Sequence, residues 1–158
     1  MGSPSADVRG RREQLLSRMA FRLFRVMNDE IVRRVQELGH PLLPSFPRLL
    51  AHVDAERGSR VNVLARKTGV TRQAVSQLLD EIERRGCVER HPDPDDARAV
   101  RVHFTAKGRR MLADAIVVME AIEAEYAATV GKAQLRQLKR TLGSLLEQID
   151  PEGALGQS

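Results

Sequence analysis

Val61-Asn62-Val63-Leu64-Ala65-Arg66-Lys67-Thr68-Gly69-Val70-Thr71-Arg72-Gln73-Ala74-Val75-Ser76-Gln77-Leu78-Leu79 is the stretch whose reading decides the fold. Ala65 stands four residues before Gly69, and Val75 and Leu78 follow at helical spacing. Two short helices that cross closely need this pattern. A small residue faces the crossing, a glycine takes the positive φ of the turn, and aliphatics on the second helix close the wedge. That second helix opens Thr71-Arg72-Gln73-Ala74 and continues through Ser76 and Gln77, polar side chains suited to base edges and phosphates. Arg57, Arg60, Arg66, Lys67 and Arg72 fall between positions 57 and 79, with no Asp or Glu among them. A one-signed run over a turn motif predicts a helix-turn-helix that meets duplex DNA.

Upstream, Leu16, Met19, Leu23, Met27, Ile31, Val35 and Leu38 step by three and four. This predicts a long amphipathic helix over residues 12–38, stopped by Gly39. Pro41, Pro44 and Pro47 interrupt the pattern before a shorter helix over residues 48–55, carrying Leu49, Leu50 and Val53. Downstream, the reader helix runs to Arg85 with Gly86 just past its end, and Val75, Leu78, Leu79 and Ile82 form its buried stripe. Residues 88–104 read as a β-hairpin, because Val100, Val102 and Phe104 alternate with Arg101 and His103. Pro92-Asp93-Pro94-Asp95-Asp96 supplies turn formers for its tip. Thr105 suits the N-cap of a second long helix reaching residue 130, striped by Met111, Ala115, Met119, Ile122 and Tyr126. After Gly131, a last helix over residues 133–149 carries Leu135, Leu138, Leu142, Leu145, Leu146 and Ile149.

The class this predicts is mostly α with a small β-hairpin wing (α+β): a winged helix-turn-helix core flanked by long terminal helices. Residues 41–108 form the DNA-binding domain, residues 12–40 and 109–150 a helical dimerisation region, and residues 1–11 and 151–158 flexible tails. The homodimer follows from coverage. Long apolar stripes at both chain ends have nothing else in the chain to cover them, so they pair with each other or with a second copy. Two reader helices one duplex turn apart, roughly 34 Å, then suit an inverted repeat.

The 158 residues carry 26 Lys+Arg against 21 Asp+Glu, a net charge of +5 that favours polyanionic partners. With no Trp, one Tyr and four Phe, the chain has little for the stacking platforms of single-stranded nucleic acid, so double-stranded DNA is the expected partner. The single cysteine, Cys87, excludes an intrachain disulfide and fits a reducing cytoplasm. No run reaches membrane-span length, and residues 1–10 lack the apolar core of a secretory signal. His40, His52, His91 and His103 have no zinc-site spacing. A phosphate loop, a nucleophile elbow and paired carboxylates are also missing, so no metal, cofactor or enzyme activity is expected.

The order helix, helix, helix-turn-helix, wing, long helix, last helix resembles the multiple-antibiotic-resistance regulator (MarR) family of winged-helix repressors. Leu64-Ala65-Arg66, Gly69-Val70-Thr71, Val75-Ser76, Leu78-Leu79, Ile82 and Arg85-Gly86 carry the resemblance in the helix-turn-helix. The wing run Val88-Glu89-Arg90 with Pro92-Asp93-Pro94-Asp95-Asp96-Ala97-Arg98-Ala99 carries it further, as does Phe104-Thr105-Ala106-Lys107-Gly108. The resemblance spans residues 13–149 and implies a homodimeric transcription regulator joined through its terminal helices. It also implies a reader helix in the major groove and the wing arginine, Arg98, in the minor groove. Release by a small phenolic-type effector in a crevice between the two regions, or by cysteine oxidation, is implied as well. The proline-rich stretch 41–47 departs from the family pattern beside that crevice, so no pocket residues are assigned.

Among the candidate contacts, Arg66, Lys67 and Arg72 are expected on phosphates, and Gln73 and Gln77 on adenine edges. Thr71, Ala74 and Ser76 share that approach. Arg98 is a probe for narrow A·T-rich minor grooves, its guanidinium oriented by Asp96. Asp93, Asp95 and Asp96 sit where phosphates would approach and are expected to fix the turn through their own backbone. Arg90 and Arg101 read equally as phosphate contacts or as charges of the hairpin face. Cys87 reads as a small buried hydrophobe, with a redox switch between reader helix and wing as the sharper alternative. The alternative from another class is a protein-interaction module that kept the fold without sequence-specific reading. Salt-dependent duplex binding separates the two.

Overall fold

The computed structural model describes residues 10–151: α1 (Leu16–Glu37), α2 (Phe46–Leu50), β1 (Ser59–Arg60), α3 (Val61–Thr68), α4 (Arg72–Arg84), β2 (Val88–Asp93), β3 (Asp96–Phe104), α5 (Ala106–Val130) and α6 (Lys132–Ile149). The strands form one antiparallel sheet in the order β1-β3-β2, and the rest is helical, the expected α+β class. Gly69, at φ 68°, turns the chain after α3 while its amide still reaches the Ala65 carbonyl. The Thr71 hydroxyl then accepts the Ala74 amide at 3.2 Å and caps α4. Val75, Leu79 and Ile82 are fully buried and Leu78 half-buried, so the second helix seats as its spacing requires.

The wing pairs from Val88 opposite Phe104 to Pro92 opposite Val100, turning at Pro94 and Asp95. Val88, Arg90, Val102 and Phe104 share the face that meets α4; Glu89, His91, Arg101 and His103 share the other. Val102 and Phe104 are buried as the alternation predicts, whereas Val100 is 41% exposed because it lies out beyond the core, opposite Pro92. Ser59 and Arg60 add a third strand against Val102 and Arg101 that two residues are too few to announce in the sequence.

One apolar cluster joins Val32 and Val35 of α1, Phe46 and Leu49 of α2, Leu64, Val75, Leu79 and Ile82 of the helix-turn-helix, and Met111, Val118 and Ile122 of α5. The lower ends of the long helices are therefore fastened to the reading domain. Arg34 strengthens the join, with two 2.7 Å bonds to the Glu125 carboxylate and one of 2.6 Å to Glu30. His40 lies 2.6 Å from Asp114 of α5. Both α1 and α6 pack on α5. Outward from the join the stripes are bare: α6 has no buried residue, and Leu16, Met19, Leu23 and Phe24 of α1 are exposed.

Three boundaries differ from expectation. The first helix is interrupted at Gln14 and Leu15, where i→i+3 bonds close a turn, and nothing in the local sequence explains the break. The second helix is shorter and starts earlier, at Phe46, with Pro47 in its first turn, where a missing amide costs nothing. Its expected continuation is replaced by a turn in which the His52 and Val53 amides bond the Leu49 and Leu50 carbonyls, followed by a second turn where Asp54 Oδ1 accepts the amides of Glu56 and Arg57. Of the expected flexible tails, residues 1–9 and 152–158 lie outside the described residues, while Gly10 and Arg11 belong to a helical turn.

Candidate nucleic-acid interface

The exposed side of α4 begins at its cap. Thr71, Arg72, Gln73, Ala74 and Gln77 are exposed and Ser76 is half-buried, while Arg66 and Lys67 are exposed in the last turn of α3. The structure therefore brings together all eight residues expected on the reader segment. Among the described residues, the side chains of Arg66, Lys67, Arg72 and Arg98 enter no salt bridge. Cations left in water can exchange their counterion partners for phosphates.

The second half of α4 carries the acids, and each is neutralised. Arg90 Nη1 lies 2.7 Å from Asp80 and 2.8 Å from Glu83. Arg85 is 2.7 Å from Glu81, which also pairs with Arg84. The hydrogen bond from Arg85 holds the Glu81 carboxyl below its ordinary range. The helix thus has free positive charge at its N-terminal end and compensated charge behind it, so the field at its tip stays attractive to DNA.

The wing is tied down by a carboxylate. The Asp93 side chain is fully buried and accepts from Arg60 Nε at 2.7 Å, Arg60 Nη2 at 2.9 Å, Arg101 Nε at 2.9 Å and the Asp95 amide at 2.9 Å. Arg60 above all, with the Asp95 amide and Arg101, holds this carboxyl well below the usual carboxylate range. Asp93 therefore does not face phosphate but sits under the wing. Arg101 also donates to the Arg57 carbonyl at 3.3 Å. Arg90 and Arg101, expected equally as phosphate contacts or as charges of the hairpin face, each pair with acids within the fold and stay half-buried. Asp96 corrects a further expectation: its Oδ1 accepts the backbone amide of Arg98 at 3.0 Å and makes no bond to the guanidinium. It shapes the tip, and the exposed Arg98 side chain extends without a brace.

Arg60 was not among the candidates, although it is the first partner of Asp93. Its signal lay in a two-residue strand with no readable period. Cys87 is fully buried, with Sγ 3.9 Å from Met111 Sδ, and burial pushes its thiol up against the opposing pull of Lys107 and Arg85. These are the surroundings of a packed hydrophobe, not of an activated thiol. Among the described residues no group of three His, Cys, Asp or Glu could hold a metal ion, and no helix is long and apolar enough to cross a membrane.

Residues 42–99, which hold the helix-turn-helix and most of the wing, match the family model described as the MarR family. The chain is 30% identical over 130 residues to the HTH-type transcriptional repressor Rv2887 of Mycobacterium tuberculosis, an alignment covering 82% of this chain and 92% of the relative. A crystal structure of Rv2887, named there as a MarR family protein in complex with salicylic acid, superposes with a TM-score of 0.60 at 28% identity, covering 83% of this chain and 96% of that one. The transcriptional repressor CouR, solved on a 23-mer DNA duplex, shares the fold at a TM-score of 0.70 and 24% identity, covering 86% and 95%. The two-helix reader, the buttressed wing and the long terminal helices thus agree with kinship along nearly the whole length of Rv2887. The chain belongs to the MarR family of winged helix-turn-helix transcription regulators, a family of DNA-binding proteins and not of enzymes.

Proposed function

We propose that this chain is a cytoplasmic, homodimeric repressor that binds double-stranded DNA sequence-specifically at an inverted repeat. The observation that carries the reading is the division of charge on α4, with unpaired Arg66, Lys67 and Arg72 around its exposed start and every acid behind it neutralised. In this reading those three cations hold phosphates, and Gln73 and Gln77 read adenine edges. Thr71, Ala74 and Ser76 line the approach, and Arg98 enters the minor groove. Residues 41–108 act as the DNA-binding domain, and residues 12–40 and 109–150 as the dimerisation region. Bare leucines along α6 support the dimer. Repression is drawn from the name of the related Rv2887, and a small aromatic acid or phenol as releasing ligand from its salicylic acid complex.

The test is a duplex selected by the protein from a randomised pool, titrated beside a scrambled duplex across a salt series. The expected result is a preference for the selected duplex and a linear fall of log affinity with log salt. Equal affinity for both duplexes would leave only the interaction-module reading. Addition of salicylate is expected to lower affinity for the selected duplex.

A further inference from the structure

Arg90 lies on the wing strand β2, opposite Val102, on the face turned toward α4. Its guanidinium grips the reader helix at three points. Nη1 is 2.7 Å from Asp80 Oδ1 and 2.8 Å from Glu83 Oε2, and Nη2 donates to the Ser76 carbonyl at 3.1 Å. Ser76, Asp80 and Glu83 are spaced four and three residues apart, so they form one stripe along two turns of helix. A bond at one point would fix only a separation. A grip spread along a stripe also resists rotation of α4 about its own axis and tilting against the wing.

We propose that Arg90 is a positioning residue for sequence reading: it locks the wing to α4 and sets the angle at which Gln73 and Gln77 meet base edges, without touching DNA itself. The inference rests on the DNA-reading function above. Ser76 stands between Gln73 and Gln77 in the chain, so Arg90 holds the backbone of the same stretch of α4 that carries the side chains that would read bases. A bidentate amide–adenine contact tolerates little misalignment, because hydrogen bonds weaken steeply away from linearity. Phosphate contacts from flexible cations at the helix start tolerate more. Loosening the grip therefore costs discrimination before it costs general affinity. The planar fork of arginine meets the two carboxylates from Nη1 and the carbonyl from Nη2, whereas lysine would have to reach all three points from a single nitrogen.

Two variants test this on the selected and scrambled duplexes at fixed salt. Arg90→Lys keeps the charge and loses the fork. It is expected to retain affinity for the scrambled duplex while its preference for the selected one falls about tenfold or more, as for a lost base contact. The double variant Asp80→Ala/Glu83→Ala leaves Arg90 intact and removes its anchors, one exposed and one half-buried, from the helix. Positioning predicts that preference falls although two negative charges have gone. If charge alone matters, affinity for both duplexes rises and the preference is kept, which overturns the proposal. Preference unchanged in both variants overturns it equally. Should the parent protein itself show no preference, the DNA-reading function falls first, so the two failures are distinguishable.

Discussion

Arg72 and Gln73 are neighbours in the chain and are expected to fail in different ways. Arg72→Ala should weaken binding to every duplex and flatten the log–log salt dependence by roughly 0.9, the share of one phosphate. Gln73→Ala should leave that slope alone and reduce discrimination by about 1–3 kcal/mol, the worth of a bidentate base contact. Equal losses on selected and scrambled DNA in both variants would refute the assignment. Asp96 allows a sharper comparison, because its carboxylate holds the Arg98 amide. Asp96→Ala should weaken operator binding by loosening the tip, even though it removes a negative charge beside phosphate. Asp96→Asn keeps an acceptor for that amide without the charge and should bind at least as tightly as the parent. Tighter binding by Asp96→Ala would show that charge repulsion outweighs turn geometry there. The reader residues were legible in the sequence because their exposure follows from helical spacing alone. Arg90 and Arg101 were not, since whether an arginine is free depends on acids such as Asp80 and Asp93 brought to it by other elements.

Elements that announce themselves by period and punctuation formed where expected: α4 between Thr71 and Gly86, the wing around its aspartate-rich tip, and α5 from its Thr105 cap. Those that depend on contact did not. β1 exists only because β3 lies beside it, and α2 gives way after Leu50 to a turn in which the His52 and Val53 amides reach the Leu49 and Leu50 carbonyls. Gly108 shows how a motif residue acquires its reason from packing. A Cβ placed there would lie 1.8 Å from the Cys87 carbonyl oxygen, so only glycine lets the first turn of α5 close against the start of the wing. Gly108→Ala should destabilise the chain by about 3 kcal/mol, read in urea unfolding, with loss of DNA binding in proportion. The wing brace has its own pH signature. Asp93 titrates lower in the folded chain than in the unfolded one, so its stabilisation is full above the ordinary aspartate value of about 4 and is lost as pH falls below it. The difference in melting temperature between the parent and Asp93→Asn should stay constant from about pH 5 to 8 and shrink in more acidic solution. A difference that changes near neutrality would point to a different titrating group.

At the scale of the whole molecule, the terminal helices keep their apolar stripes uncovered. The core holds the reading domain together with the near ends of α1 and α5, yet α6 buries nothing. Leu138, Leu142, Leu145, Leu146 and Ile149 remain exposed along α6, as do Leu16, Met19, Leu23 and Phe24 on the first terminal helix. Exposed apolar area on this scale is a property of interfaces and not of isolated monomers. The bare stripe was legible in the sequence, because Leu138, Leu142, Leu145, Leu146 and Ile149 recur at helical spacing along α6. Light scattering at micromolar concentration should therefore find twice the 17.7 kDa mass of the chain. Leu142→Glu places a charge in the middle of the α6 stripe and should yield monomers whose helix-turn-helix and wing remain folded. Such a monomer keeps one reader helix and loses the second, tethered binding event, so affinity for an inverted repeat should drop by about 10²–10⁴. Affinity for a single half-site should stay unchanged. A Leu142→Glu protein that remains dimeric would move the interface away from α6, and a parent protein that is itself monomeric would end the two-fold reading of DNA altogether.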